Sequence, residues 1–239
     1  MIHGGGRRLR ILARLAEGGD GATNHLCMVC AEVTGMTGAG IMLMSGDVHR
    51  GSVCTSSKVS DLIEQLQYSL GEGPCVDAYD CDRPVLEPDL VDASQRQWPA
   101  FAGPAIDAGV QAVFAFPLRV GAVRLGALNL HRDRVGPLTD EQHADALVMA
   151  DVAAQAILVL QGGAPPGHLA AELEASADFQ FEVHQAAGMV AAQLETSVAQ
   201  ALIRLRGHAF GHDRTLRDLA HDVVARKLRF EGPADENGP

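Results

Sequence analysis

Apolar residues recur along this chain with two periods, and the alternation between them marks out the elements. Leu9, Leu12 and Leu15 stand at helical spacing within 7–17. Leu26, Val29, Cys30 and Val33 predict a second helix over 23–33, with Thr23 as its candidate cap. Gly35, Gly38 and Gly40 end it, and the apolar run 39–44 reads as a buried strand. Gly46-Asp47 predicts a turn, with 50–56 as the hairpin partner. A third helix is predicted over 59–70, with Leu62, Ile63, Leu66 and Leu70 on its apolar side, and 71–75 (GEGPC) reads as a tight loop. Pro84 and Pro88 place a short strand, 84–87, at a sheet edge. A helix is predicted over 98–108. Val110, Ala112, Phe114, Phe116 and Leu118 then alternate with the period of a half-buried strand, and 123–130 returns antiparallel after Gly121. Thr139 and Gln142 form a capping box, behind Pro137, for a helix running to about residue 160. Its Leu147, Val148, Val152, Ile157 and Leu158 cover more than one stripe, enough for one side to meet a sheet and another a partner subunit.

Residues 162–167 (GGAPPG) read as a linker. No strand pattern follows. A helical stretch, 168–194, carries Leu173, Phe179, Phe181, Val183 and Met189. Two further capping boxes, Ser197 with Gln200 and Thr215 with Asp218, open two short amphipathic helices. In the first, Val198, Ala201, Leu202, Leu205 and Ala209 make the core stripe. Gln200, Arg204 and His208 share one flank, and Arg206 lies near Ile203 and Phe210 on the other. In the second, the stripe is Leu216, Leu219, Ala220 and Val223, continued by Phe230, with Arg217, Arg226 and Arg229 off it. The fold class is therefore α+β on an antiparallel sheet, followed by an all-α three-helix unit. The boundaries are an N-terminal extension at 1–20, an α+β domain at 21–161, the linker at 162–167, the helical domain at 168–231 and a polar tail at 232–239 expected to be disordered.

Charge changes the picture in one place. The 239-residue chain carries 19 Lys and Arg against 30 Asp and Glu, a net charge of -11, which argues against whole-body binding to nucleic acid or an anionic membrane. The stretch 196–229 is basic, with Arg204, Arg206, Arg214, Arg217, Arg226, Lys227 and Arg229. That is either a surface for a polyanion or a solvated face with weak pairs such as Arg217–Asp218 or Arg226–Asp222. Aromatics at 4% leave few stacking platforms. No apolar run reads as long enough to span a bilayer and the N-terminus is no convincing signal peptide, so a cytoplasmic location is expected. Cys27, Cys30, Cys54, Cys75 and Cys81 are an odd set that fits reduced thiols. The Cys27-Met-Val-Cys30 spacing lies inside a helical pattern, where cysteine serves as a small hydrophobe; Cys75 and Cys81 are secondary candidates for sensor thiols. His131 and His143 lack any metal-ligand spacing, no phosphate-cradling loop or nucleophile elbow occurs, and no carboxylate pairing stands out. No metal, cofactor or catalytic set is expected.

The residues from 169 to 230 resemble an ANTAR domain, the three-helix RNA-binding output module of bacterial transcription antiterminators. The resemblance is carried by Ala187-Gly188-Met189, Ala201-Leu202, Leu205-Arg206, Ala209-Phe210, Leu216, Leu219-Ala220 and Val223-Val224. The front half resembles a GAF domain, through Leu70-Gly-Glu-Gly-Pro-Cys75, Arg83-Pro84-Val85, Trp98-Pro99, Phe116-Pro117-Leu118 and 125–130 (LGALNL). The pair is similar to the GAF-plus-ANTAR regulators of actinobacteria. It implies a dimeric, signal-responsive protein that binds paired hairpins in nascent leader RNA and promotes antitermination. Arg204, Arg206, His208, Arg214, Thr215, Arg217 and Arg226 fall on the family's basic and polar positions. The first helix departs from the pattern, being dominated by Glu172, Glu174, Asp178 and Glu182, which confines the expected RNA surface to 200–229 and leaves that helix for dimer packing. The GAF resemblance implies a small-molecule pocket lined from the sheet and the loops 71–82 and 98–101, with Gly73, Cys75, Trp98 and Phe101 as candidates. The competing readings are a helical tail that docks on a protein partner, and a GAF-fold thiol enzyme such as a free methionine sulfoxide reductase.

Overall fold

The computed structural model describes residues 3–17, 23–45, 48–93, 97–162, 178–212 and 214–230. They belong to two compact units, Met1–Ser176 and Ala177–Pro239. The predicted turn at 46–47, the linker at 163–167, the helical stretch 168–177 and the tail at 232–239 lie outside the described residues.

The first unit is built on a five-stranded antiparallel sheet in the order β2-β1-β5-β4-β3. Its strands are β1 (Gly38–Ser45), β2 (Val48–Thr55), β3 (Val85–Glu87), β4 (Ala112–Val120) and β5 (Val123–Arg132). The helices are α1 (His3–Ala16), α2 (Thr23–Thr34), α3 (Lys58–Leu70), α4 (Pro74–Cys81), α5 (Leu90–Ala93), α6 (Ala102–Asp107) and α7 (Asp140–Gly162). β3 is an edge strand, as its flanking prolines predict. Ile41, Leu43, Phe114, Phe116, Leu118, Leu128 and Leu130 join Leu26, Val29 and Cys30 of α2 and Met149, Val152, Ala153 and Ile157 of α7 in the main core. The opposite side of the sheet carries a second core of Ile63, Leu90, Trp98, Phe101, Ala105 and Val113. Burying these side chains is the main stabilising term of the unit.

α7 opens on the predicted capping box: the Gln142 amide donates to Thr139 Oγ1 at 3.2 Å, and the Thr139 amide to Gln142 Oε1 at 3.1 Å. Among the described residues it is the one helix long and apolar enough to cross a membrane, a feature the sequence reading passed over. Its buried face packs on the sheet and into the main core, which accounts for that apolarity. Its Asp145 is buried and receives Arg7 at 2.5 Å and Arg10 at 3.0 Å, and its Asp151 pairs with Arg8, so α1 is clamped onto it.

Four local expectations change. The predicted loop 71–75 holds a helix boundary. Gly71 ends α3 in the left-handed region at φ 70°, and Pro74 then starts α4 with its ring at the first turn, where no amide is needed. The helix predicted over 98–108 is only α6, because Trp98 sits at φ 50°, outside helical space, while the short α5 precedes it. β4 is buried on both faces from Ala112 to Phe116 rather than half-buried, since helices cover the sheet on both sides. Cys27 and Cys54 form a disulfide between α2 and β2, against the expectation of five reduced thiols, while Cys30 is buried as expected.

The second unit packs α8 (Asp178–Leu194) against α9 (Val198–Gly211) and α10 (Leu216–Val224). Val183, Ala187 and Val190 meet the predicted stripes Ala201, Leu202, Leu205, Ala209 and Leu216, Leu219, Ala220, Val223, all buried; Val198 is exposed. Ser197 and Thr215 cap their helices, accepting from the Gln200 amide at 3.2 Å and the Asp218 amide at 3.1 Å. The Gln200 side chain bonds the Thr196 hydroxyl instead of closing the box. Arg226 and Arg229 lie beyond the end of α10, with Arg226 at φ 58°.

Candidate functional site

The chemistry of the first unit collects on the second face of the sheet. There the inward residues of β1 and β5 are Gly38, Gly40, Ala127, Asn129 and His131, paired Gly38 to His131 and Gly40 to Asn129. Small and polar residues thus alternate with Ile41, Leu128 and Leu130, which face the main core. α3 lies over this patch and turns inward Ser60, Glu64 and Gln67, together with Ile63 and Tyr68. The predicted apolar side of α3 is therefore only partly inward: Ile63 is buried, and Leu62 is exposed.

Ser60, Glu64, Gln67, Asn129 and His131 are all buried. Asn129 Nδ2 donates to Glu64 Oε1 at 3.3 Å, and Ser60 Oγ lies 2.9 Å from Ser57 Oγ and 3.2 Å from Ser56 Oγ. Five atoms of the layer have no protein partner: Glu64 Oε2, Gln67 Nε2, Asn129 Oδ1 and both ring nitrogens of His131. Buried polar atoms are seldom left so, because each forfeits its hydration. Burial raises the Glu64 carboxyl to about 8, opposed by the Asn129 bond and aided by Asp61. Burial lowers His131 to about 4, opposed by Asp133. Both groups are uncharged at neutral pH.

Gly73 and Cys75 border this layer. The Cys75 amide donates to Gln67 Oε1 at 2.7 Å, and a Cβ at Gly73 would stand 2.7 Å from the Gln67 side chain. Trp98 and Phe101 stack edge to face at 6.1 Å in the neighbouring core. Two acids join them to α4 and the turn before it: Trp98 Nε1 donates to Asp77 at 2.9 Å, and Glu72 accepts from the amides of Ala100 at 2.7 Å and Phe101 at 2.9 Å. Of the four residues named from sequence, Gly73 and Cys75 touch the layer and Trp98 and Phe101 lie in the core beside it. The polar layer itself escaped sequence reading, although Asn129 and His131 alternate with Leu128 and Leu130, and Ser60, Glu64 and Gln67 share helical spacing. Open clefts lie elsewhere. One, of about 290 Å³, runs between Pro84, Pro117, Leu147 and Asp151, and holds a satisfied Arg119–Asp82 pair at 3.2 Å.

In the second unit Arg204, Arg214, Thr215, Arg217 and Arg226 are exposed, and Arg206 and His208 are half-buried. Arg214 is paired with Asp222 at 2.6 Å, and Lys227 approaches the same carboxylate at 3.9 Å. His208 stacks on His212 with centroids 4.0 Å apart and meets the edge of Phe230 at 5.1 Å. Burial, then His212 and Arg214, lower its pKa, so it offers a neutral ring rather than a cation. Glu182 of α8 bonds His221 at 2.8 Å. Ile203 and Phe210, on the Arg206 flank, are 65% and 69% exposed.

Cys30 and Cys75 are buried, which pushes the Cys30 thiol up to about 12 and Cys75 well above the usual thiol range. Cys81 is exposed. Among the described residues no group of three or more His, Cys, Asp or Glu side chains could hold a metal ion.

No curated protein matches the chain. Solved structures share the fold of its first unit. The GAF domain of an Acinetobacter phosphoenolpyruvate-protein phosphotransferase is 10% identical with a TM-score of 0.52, covering 70% of this chain and 99% of that one. The GAF domain of a phosphoenolpyruvate-protein phosphotransferase from Coxiella burnetii is 14% identical with a TM-score of 0.49, covering 65% and 95%. A type II free methionine-R-sulfoxide reductase from Thermoplasma acidophilum is 16% identical with a TM-score of 0.45, covering 61% and 92%. The family model for the GAF domain matches residues 20–158, more than half of the sequence, and ends before the C-terminal helices. By that match, and by its five-stranded antiparallel sheet flanked by helices, the chain belongs to the GAF domain family.

Proposed function

We propose that the chain is a cytoplasmic, signal-responsive RNA-binding regulator. A small molecule in the polar layer of its GAF domain controls a C-terminal ANTAR-like unit, which binds hairpins in nascent leader RNA and promotes antitermination. The observation that carries the output half is the compact three-helix unit, whose capped α9 and α10, with the residues between and after them, bring Arg204, Arg214, Arg217 and Arg226 to the surface. Guanidinium groups on helices and turns are suited to phosphates and to the faces of unpaired bases. The input half is supported by the five unpartnered polar atoms beneath α3. A homodimer is part of this reading, supported by exposed Leu147, Leu158 and Val159 on α7. No catalytic step is proposed: burial makes Cys30 and Cys75 poor nucleophiles. The test is a fluorescence-anisotropy titration of the full chain against an RNA of two tandem stem-loops and against duplex DNA of equal length. Tighter binding to the RNA is expected, and equal or weaker binding sinks the proposal.

Exposed Ile203 and Phe210 favour a second reading, in which α9 docks on a protein. Replacing both with Ser separates the two: RNA affinity is expected to hold if the arginines carry binding, while a docking function is lost.

A further inference from the structure

The polar layer has a composition that selects among ligand classes. Its unpartnered atoms come from one helix and one strand, Glu64 and Gln67 on α3 facing Asn129 and His131 on β5. A glutamic acid, two amides and an imidazole offer both donors and acceptors. Among the described residues no Lys or Arg belongs to the layer. Arg124, on β5, donates instead to the carbonyls of Tyr79 and Asp80 at 2.9 and 3.2 Å. Arg132 is turned to the other face of the sheet, over the Phe114 ring at 5.0 Å and onto the Gly136 and Pro137 carbonyls. Among the described residues, the charges that act on Glu64 and His131 are Asp61 on α3 and Asp133 after β5, both acids, and Tyr68 of α3 adds a phenol buried on the same side. An anion placed here would lose its hydration against acids and amides with no cation to receive it.

Glycines shape the same place. A Cβ at Gly40 would stand 2.6 Å from Glu64 Oε1, and one at Gly38 would stand 2.6 Å from His131 Nε2 and 2.5 Å from Ser60 Oγ. The ends of the Ser60, Glu64 and His131 side chains therefore rest directly against bare glycine backbone, in room that any larger residue would take.

We propose that this layer binds a small, uncharged, planar ligand carrying both hydrogen-bond donors and acceptors, of the class of nucleobase-like heterocycles and aromatic amides, and that it discriminates against anions such as cyclic nucleotide phosphates. The assignment rests on the sensor reading of the GAF domain. In it, Glu64 serves as a neutral carboxylic acid that donates from Oε2, Gln67 donates from Nε2, Asn129 accepts at Oδ1, and His131 does one of each. The raised pKa of Glu64 and the lowered pKa of His131 agree with uncharged partners.

The test is isothermal titration of the full chain with hypoxanthine, uracil and nicotinamide, and separately with cyclic AMP and cyclic GMP, across pH 6–9. At least one neutral compound is expected to bind more tightly than either cyclic nucleotide. Glu64→Leu is expected to weaken it about tenfold, as for one lost buried hydrogen bond. Glu64→Gln keeps a donor and is expected to retain binding within about threefold. The wild-type affinity falls as Glu64 ionises near pH 8, and Glu64→Gln removes that fall. Thermal unfolding curves of both variants check that they fold. Tighter binding of a cyclic nucleotide, binding by no neutral compound, or unchanged affinity in Glu64→Leu overturns the ligand class. A cyclic nucleotide whose binding Asn129→Leu abolishes overturns the class but leaves the sensor reading standing. The sensor reading falls separately if occupying the layer leaves hairpin-RNA affinity unchanged.

Discussion

Glu64 and His131 set a pH signature for the folded state. The folded protein holds the Glu64 proton up to about 8, whereas an ordinary carboxyl releases it near 4.5, so stability falls as pH rises through that window. His131 works in the opposite sense: the unfolded chain gains a proton below 6.5 that the folded protein refuses down to about 4, so stability falls as pH drops there. The two slopes oppose each other between about 4.5 and 6.5, leaving a net loss from this pair between about 6.5 and 8. Glu64→Gln is expected to flatten the urea-unfolding free energy across the upper window relative to the wild type. Parallel wild-type and variant curves would show that Glu64 does not hold its proton. At this scale the sequence was half legible. The alternation of Leu128 and Leu130 with Asn129 and His131 marks a strand with one polar face. Glu64 was hidden because Leu62, Ile63 and Leu66 beside it invite an apolar reading of the same turns.

Strands, long helices and the two capped C-terminal helices were written plainly in the sequence, and the short helices α4 and α5 were not. The alternation in β4 placed the strand but not its burial, because only the assembled helices decide that both faces are covered. α4 was concealed in a loop-like Gly-Glu-Gly-Pro run whose meaning depends on Gly71 closing one helix and Pro74 opening the next. The disulfide was illegible because Cys27 and Cys54 are 27 residues apart and meet only when β2 folds back beside α2. Closing a loop of that length stabilises a fold by about 3.5 kcal/mol, so Cys54→Ser is expected to lower the unfolding free energy by about that amount. An unchanged melting temperature would mean that the bond does not form in solution. Gly126 has a sharper constraint: a Cβ there would collide with the Met42 carbonyl oxygen across the β1–β5 pair. Gly126→Ala is expected to cost about 2–3 kcal/mol through forced backbone displacement, read from denaturant midpoints. Thr215→Ala, which removes the cap of α10, is expected to cost about 1 kcal/mol in the C-terminal unit.

The whole molecule joins a GAF domain to a small helical unit, and the two halves were legible to different depths. The front motifs fall in order through a sheet of definite topology, and the family match spans them. The three-helix packing of the back portion followed from its stripes and caps. Its arginine surface did not, because Arg214, though exposed, is paired with Asp222, and Arg226 sits past the last helix in the left-handed region. Acidity of the chain as a whole makes any RNA contact depend on this local patch, which gives a quantitative signature. Each arginine on a phosphate releases counterions, so affinity falls with salt in proportion to the number of contacts. The measurement that decides the matter is the salt dependence of full-chain binding to a tandem stem-loop RNA, for the wild type and for Arg204→Ala and Arg226→Ala. A log–log slope of about -4 is expected, reduced by about 1 in each variant. A flat slope, or one that neither substitution changes, would contradict an RNA-binding role for this surface.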